Sequence, residues 1–292
     1  MMTDPRIERY AAFSDDPAGG NPAGVVLDAG PLTDSDMQRI AAQVGYSETA
    51  FVTGPIVPAG PEDTVSAIPI RYFAPEGEVD FCGHATIATA VSIGAHHGLG
   101  DYVLGTRVGP VAITARRDGT RHVGALHSPP VDCFPIEDGL LTQLLDALHW
   151  SRHDLDPALP PAIGFGGNKH PVLVARELGR LEDLSYDFDI LQRLSRRHDW
   201  ITVQLVVATA SDRWRARDPF PWGGVVEDPA TGAAAAAFAG YLRAHSRAAA
   251  GDRLVITQGV EMGRPSRIEV GLTEDAAIVS GAASRIDGSD DR

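Results

Sequence analysis

A chain of 292 residues, 43% of them apolar and 22% charged, has the composition of an ordinary folded globular protein; this excludes disordered and fibrous classes and leaves room for two domains of about 130 to 150 residues. A formal net charge of −14 with no evident cluster of lysine or arginine excludes a nucleic-acid binder, because neutralising phosphates needs a basic surface. Lys169, in Gly166-Gly167-Asn168-Lys169, is the only lysine, so a Schiff-base enzyme would have a single candidate position.

Cys82 and Cys133 are the only cysteines, which supplies neither a disulfide framework nor a cysteine-based zinc site and fits a reducing compartment. The first ten residues lack the apolar core of a signal peptide, and no stretch reaches the length of a membrane span. The expectation is a cytoplasmic protein with neither nucleic acid nor membrane as partner.

In chain order, Ile7 to Phe13 and Gly24 to Asp28 read as strands, joined by a Gly/Pro/Asn loop ending in Gly20-Asn21-Pro22-Ala23-Gly24. Thr33 caps a helix over Asp34 to Val44, with Leu32, Met37, Ile40 and Ala41 facing the core. Strands follow at Ser47 to Val52 and Val65 to Phe73, then a helix over Ile87 to His96. A hairpin closes around Asp118-Gly119, from Val108 to Arg116 and His122 to Leu126. Ser128-Pro129-Pro130 is the candidate linker. Beyond it come helices at Glu137 to Leu148 and Ile190 to Arg197, and strands at Pro171 to Ala175, Ile201 to Thr209 and Arg213 to Arg217. A long Ala-rich helix, Ala233 to His245, precedes strands at Leu254 to Gln258, Ser266 to Val270 and Ala277 to Ser280. One small-residue helix per half amid many strands predicts an α+β fold, each sheet curled around its helix. The expected halves are 1–128, joined by a final strand from about 276–292, and 129–275.

The two halves carry a matching phrase. Arg71-Tyr-Phe-Ala-Pro75 leads to Cys82-Gly83-His84-Ala85-Thr86, and Arg215-Ala-Arg-Asp-Pro219 leads to Glu227-Asp228-Pro229-Ala230-Thr231-Gly232; thirteen positions separate Arg71 from His84 and Arg215 from Asp228. This suggests two similar halves whose helix N-termini face each other across a cleft, with His84 and Asp228 on its two sides. Helix N-termini in that arrangement form an anion cradle suited to a substrate carboxylate.

Glu48, where Tyr46-Ser47-Glu48-Thr49-Ala50-Phe51-Val52 enters an apolar strand, is the residue type that serves as a general acid or base; an edge-strand carboxylate pointing to water is the plainer alternative. His84 at a helix start is held neutral by the helix dipole and can pass or hold a proton, or it can be a core histidine. Asp228 before Pro229 is a second polar anchor or an N-cap. A two-thiol racemase is excluded, because Thr231 stands where a second cysteine is needed and Cys133 lies outside the repeat; Cys82 reads as a small buried residue. His96-His97, before Gly98, reads as a solvated helix end. No His-Glu-x-x-His or facial-triad spacing occurs, so no metal is expected.

Six motifs, in order over residues 20 to 266, resemble the phenazine-biosynthesis PhzF-like family: Gly20-Asn21-Pro22-Ala23-Gly24, Ser47-Glu48-Thr49-Ala50-Phe51, Arg71-Tyr-Phe-Ala-Pro75, Phe81-Cys-Gly-His-Ala-Thr86, Glu227-Asp-Pro-Ala-Thr-Gly232, and Gln258-Gly259 with Gly263-Arg-Pro-Ser266. The resemblance implies a diaminopimelate-epimerase-like fold of two pseudo-symmetric halves, a homodimer, no cofactor, and isomerisation of the trans-2,3-dihydro-3-hydroxyanthranilate type. By the same resemblance Glu48 moves the proton, and His84 and Asp228 hold the substrate's amino and hydroxyl groups. The turns at Gly83 and Thr231-Gly232 bind its carboxylate, and Ser47 and Ala233 are further substrate-binding positions by the same resemblance. Ala233 stands where many relatives have Ser, and Arg217-Asp218 where relatives usually have Phe-Ala, which would put charge in the cleft wall. The expected reaction is a single-carboxylate proton shuttle. The alternatives are an epimerase or racemase using a second base, or a small-molecule-binding protein without turnover.

Overall fold

A computed structural model describes residues 5–60 and 66–286. The described chain forms two compact units, one drawn from Met1–His127 and Ser280–Arg292, the other from Ser128–Val279. Val65, the expected start of a strand, and residues 287–292 of the expected final segment lie outside the described residues.

The first unit contains β1 (Glu8–Ala12), β2 (Asn21–Val26), α1 (Asp34–Val44), β3 (Glu48–Val52), β4 (Ile68–Ala74), β5 (Gly77–Val79), α2 (Gly83–His96), β6 (Gly100–Thr106), β7 (Gly109–Asp118) and β8 (Arg121–His127). The second contains β9 (Asp132–Pro135), α3 (Asp138–Ala147), β10 (Ala162–Phe165), β11 (Lys169–Val174), α4 (Leu178–Glu182), α5 (Phe188–His198), β12 (Gln204–Ala208), β13 (Arg213–Pro219), β14 (Glu227–Asp228), α6 (Gly232–Ala244), β15 (Arg253–Gln258) and β16 (Ser266–Leu272). The last strand, β17 (Ala277–Arg285), pairs antiparallel with β1, Tyr10 lying opposite Arg285.

In the first unit β17, β1, β2, β3, β4, β6, β7 and β8 pair in that order, and β8 pairs back to β17. A sheet closed in this way has an inside. The inside is filled by α2, which packs against β1, β2, β3, β7 and β8 and is buried continuously from His84 to Gly94. A helix buried all round needs small apolar residues rather than an amphipathic stripe, and Ala85, Ala88, Ala90 and Gly94 supply them. In the second unit β9, β10, β11, β12, β13, β15 and β16 pair in order, and α6 packs on β9, β10, β11 and β16. A separate apolar core joins α3 and α5 to that unit through Leu144, Leu148, Leu191, Leu205 and Trp200.

Each central helix presses on its sheet through a glycine. A Cβ at Gly124 would sit 2.6 Å from the Ile87 carbonyl oxygen of α2, and one at Gly166 would sit 2.6 Å from the Ala237 nitrogen and 2.7 Å from the Ala233 oxygen of α6. Both neighbours are backbone, which cannot swing away. Gly166→Ala is therefore expected to lower unfolding free energy by roughly 1–3 kcal/mol, the usual range for overpacking. Urea unfolding of the variant checks this, and a change near zero would show that α6 can shift freely.

The capped helix matches its sequence signature: Thr33 and Asp36 form a capping box, Gly45 closes α1 at φ 71°, and Met37, Ile40 and Ala41 are buried against Val26, Phe51 and Phe73. Elsewhere the sequence reading fell short. α2 begins at Gly83, four residues before its expected start, because the polar residues of the motif are absorbed into the helix. Thr86 Oγ1 donates to the Cys82 carbonyl at 2.7 Å and Thr89 Oγ1 to the Ala85 carbonyl at 2.7 Å. β10 carries Gly164 for the same close approach to α6, which removes strand propensity from its sequence. His96 is not merely solvated: its Nε2 lies 2.8 Å from Oε1 of the buried Glu8, whose other oxygen accepts from Ser92 at 2.6 Å and Tyr10 at 2.9 Å.

Candidate active site

In the first unit the site begins with two parallel strands in register, β2 and β3, with Ala23 opposite Glu48. This register puts Asn21, at the start of β2, and Ser47-Glu48, at the start of β3, at the same end of the sheet. Cys82 is the N-cap of α2 and His84 its second residue. His84 is buried, with Nδ1 3.2 Å from Asn21 Nδ2, and Nε2 3.3 Å from Ser47 Oγ and 3.4 Å from Glu48 Oε2. The Cys82 thiol donates to Glu48 Oε2 at 3.4 Å and lies 3.4 Å from His84 Nδ1.

Burial pushes the His84 pKa below its ordinary value, opposed by the nearby Glu48 and by a hydrogen bond with the Pro22 backbone. Burial thus favours the neutral imidazole, and the 3.4 Å approach to Glu48 is a close polar contact. Glu48 is half-buried, with a side chain 19% exposed. Cys82 is small and buried, as its position suggests, but it is also polar-bonded to the acid that stands beside it.

In the second unit β13 and β14 pair antiparallel, with Asp218 opposite Asp228. Thr231 is the N-cap of α6, and its hydroxyl donates to Asp228 Oδ2 at 2.6 Å. Gln258, at the end of β15, ties the turn together: its Nε2 donates to the Asp228 carbonyl at 2.7 Å and to Thr231 Oγ1 at 3.0 Å, and its Oε1 accepts from the Thr231 amide at 3.1 Å. Gly232 is buried and Ala233 half-buried in the first turn of the helix. Sequence reasoning did not place Gln258 in the site. Its signal was the following Gly259, at φ 75°, where a Cβ would stand 2.5 Å from the Arg264 oxygen and 2.7 Å from the Pro229 oxygen.

The thirteen-residue repeat does not mark equivalent positions. His84 lies two residues after its N-cap and Asp228 three before Thr231, so the structural counterparts are Cys82 and Thr231. Nor is Asp228 an N-cap. The two arginines opening the phrase brace neighbouring acids, Arg71 bonding Glu78 at 2.7 and 2.8 Å and Arg215 bonding Glu261.

Arg217 and Asp218 are likewise turned to internal partners. Arg217 makes a paired contact with Glu227 at 3.0 and 2.6 Å. Asp218 is fully buried, accepts from Thr202 Oγ1 at 2.8 Å, and faces the Gln204 amide, whose nitrogen in the hydrogen-bonding orientation lies 3.0 Å away. Thr202 in turn meets Nδ1 of the buried His170 at 2.9 Å. Burial holds the Asp218 pKa well above the usual carboxyl value, with the Thr202 hydrogen bond opposing and Asp228 and Glu227 adding to the rise. The folded state therefore keeps a proton that the unfolded chain releases at ordinary carboxyl pH. The stability tied to that proton is fully present below about pH 3.8 and declines by about 1.4 kcal/mol per pH unit until the raised pKa is passed. Asp218→Asn, which keeps the shape of the neutral acid, is expected to remove that decline. Urea unfolding of both proteins from pH 4 upward checks the difference, and parallel curves would contradict it.

Residues 10–288 match the family described as phenazine biosynthesis-like protein. The chain is 36% identical to the trans-2,3-dihydro-3-hydroxyanthranilate isomerase of Pseudomonas chlororaphis, over 87% of its own length and 86% of that protein. It is 35% identical to an uncharacterized isomerase of Deinococcus radiodurans, over 96% and 92%. A crystal structure of the Bacillus anthracis phenazine biosynthesis protein of the PhzF family matches with a TM-score of 0.85 at 24% identity, covering 98% of each chain. A probable proline racemase from Agrobacterium radiobacter K84 shares the fold more distantly, with a TM-score of 0.62 at 15% identity over 96% and 90%. With a match spanning nearly all of the sequence and isomerases among its curated relatives, the chain belongs to the phenazine biosynthesis-like protein family of isomerases.

Proposed function

We propose that the protein is a cofactor-independent isomerase in which Glu48 takes a proton from one carbon of a small carboxylate-bearing substrate and returns it to another. The observation that carries this reading is the half-buried Glu48 carboxyl, 3.4 Å from both the His84 imidazole and the Cys82 thiol. The proton leaves as the C–H electron pair enters the substrate's conjugated system, and Glu48 then acts as the acid. No oxidant or reductant enters the balance, and side chains of this protein suffice for each transfer.

The remaining residues position the substrate. In the first unit His84 Nε2 meets an amino or hydroxyl group; in the second, Asp228, its carboxylate oriented by Thr231, is a candidate polar anchor. In the first unit the Gly83 amide, with Ser47, offers a place for a carboxylate at the N-terminus of α2, where the dipole favours negative charge; in the second, Thr231 and the Gly232-Ala233 amides offer a like place at the N-terminus of α6. The name of the Pseudomonas chlororaphis relative points to amino- and hydroxyl-bearing cyclohexadiene carboxylates as the first class to test. The resemblance also supports a homodimer, and a chain whose two cysteines, Cys82 and Cys133, form no disulfide framework is consistent with the cytoplasm. Among the described residues no helix is long and apolar enough to cross a membrane.

The test is a screen of carboxylated amino-cyclohexadienes and amino acids in D2O, followed by proton NMR. Isomerisation that is lost in Glu48→Gln supports the reading. Solvent deuterium entering a single carbon with inversion would make the protein an epimerase instead. Binding without exchange, equal in Glu48→Gln, would make it a ligand-binding protein.

A further inference from the structure

We propose that Cys82 is a positioning residue for the isomerisation: its thiol holds one oxygen of Glu48 and leaves the other to carry the substrate proton. This role rests on Glu48 being the acid/base, as read above. The contacts of the carboxyl are one-sided. Oε2 accepts from the Cys82 thiol at 3.4 Å and lies 3.4 Å from His84 Nε2. Among the described residues, Oε1 takes part in no hydrogen bond. Glutamate has a long, flexible side chain, and ordering it during the reaction costs entropy unless a contact has fixed it beforehand.

Cys82 can hold another group because it is itself held. It is buried, and its carbonyl accepts from the Thr86 amide at 3.0 Å and the Thr86 hydroxyl at 2.7 Å. That hydroxyl in turn meets the Tyr72 hydroxyl of β4 at 2.7 Å. The thiol has one proton to give, and a carboxyl oxygen accepts it whether Glu48 is charged or neutral. With the substrate proton on Oε1, Oε2 becomes the carbonyl oxygen of the acid and still accepts. The bond therefore lasts through both halves of the transfer, and the thiol keeps its own proton throughout.

The second unit carries the same device. Cys82 and Thr231 are the N-caps of α2 and α6, and neither side chain accepts from its own helix, which is the ordinary work of a threonine in that place. Each donates to a carboxylate instead, Cys82 to Glu48 Oε2 and Thr231 to Asp228 Oδ2 at 2.6 Å. A cap given up costs the helix stability, so its diversion to an acid at both helix starts indicates function rather than packing.

The test uses the full chain carrying Cys133→Ser, in which Cys82 is the only thiol left. Its infrared spectrum then holds a single S–H stretch. Adding Glu48→Gln is expected to move that band to higher frequency, because a neutral amide oxygen accepts more weakly than a carboxylate. No turnover is needed, and the result stands even if Cys82→Ala fails to fold. With a substrate from the D2O screen, Cys82→Ala is expected to lower kcat about 10- to 100-fold with little change in KM, the range for losing one hydrogen bond to a charged group. Cys82→Ser keeps a donor and should recover most of that loss. An S–H band unmoved by Glu48→Gln, or a Cys82→Ser protein as slow as Cys82→Ala, would overturn the proposal. Loss of turnover in Glu48→Gln with wild-type kcat in Cys82→Ala would leave the isomerase reading standing and remove only the role of Cys82. Full turnover in Glu48→Gln would remove both.

Discussion

Glu48→Gln is expected to lower turnover by about 10²- to 10⁴-fold, the contribution of a positioned general acid/base. The amide keeps the size of the carboxyl and can still meet Cys82 and His84, but it has no lone pair basic enough to accept a carbon-bound proton. Glu48 sits at the first position of β3, half-buried, while the apolar contacts of the strand are made by Ala50, Phe51 and Val52. Stability should therefore change by no more than about 1 kcal/mol. Steady-state kinetics beside urea unfolding separates the two effects. A variant that is folded and inactive identifies the acid/base, and one that unfolds early would show that Glu48 holds β3 in place.

The largest expected effect on stability lies in the second unit. Arg217→Met is expected to cost about 3–5 kcal/mol, the range for leaving a buried charge without its partner. The Arg217 and Glu227 side chains are only 12% and 5% exposed, and the guanidinium makes two bonds to the carboxylate and two more to the Leu181 and Glu182 carbonyls. With both charges removed, in Arg217→Met/Glu227→Met, most of the loss should be recovered, because the penalty belongs to the unpaired ion rather than to the missing pair. Urea unfolding of the single and double variants gives the comparison. A single variant within about 1 kcal/mol of wild type would mean that water reaches Glu227. Glu227 immediately precedes Asp228, so loss of the pair is also expected to loosen the turn that presents Asp228 and Thr231.

What the sequence revealed followed from how local each cause is. The Thr33 cap of α1 and the β7–β8 hairpin are set by residues a few positions apart and could be read directly, although the two-residue turn is Gly119-Thr120, one position later than expected. The meeting of Glu48 with His84 could be proposed only through the spacing of motifs and family resemblance, since it depends on the parallel register of β2 and β3. Gln258-Gly259 stood out only as a family motif, and the role of Gln258 stayed hidden because its partners, Asp228 and Thr231, lie about thirty residues upstream. Arg217 and Asp218 look like surface charges in the sequence. Their burial is decided by Glu227, Thr202 and Gln204, none of which forms a pattern with them in the chain. Cys82 was read correctly as a small buried residue, but no local rule gives its contact with Glu48, 34 positions away.

The assignment of Glu48 is tested most directly by a single turnover in ordinary water with substrate deuterated at the carbon that loses its hydrogen, the product being analysed by deuterium NMR. Shuttling by one carboxyl predicts deuterium at the newly protonated carbon, above the level left by washout, and no product from Glu48→Gln. Product formed by Glu48→Gln at the wild-type rate, or deuterium retained only at its original carbon, would contradict it.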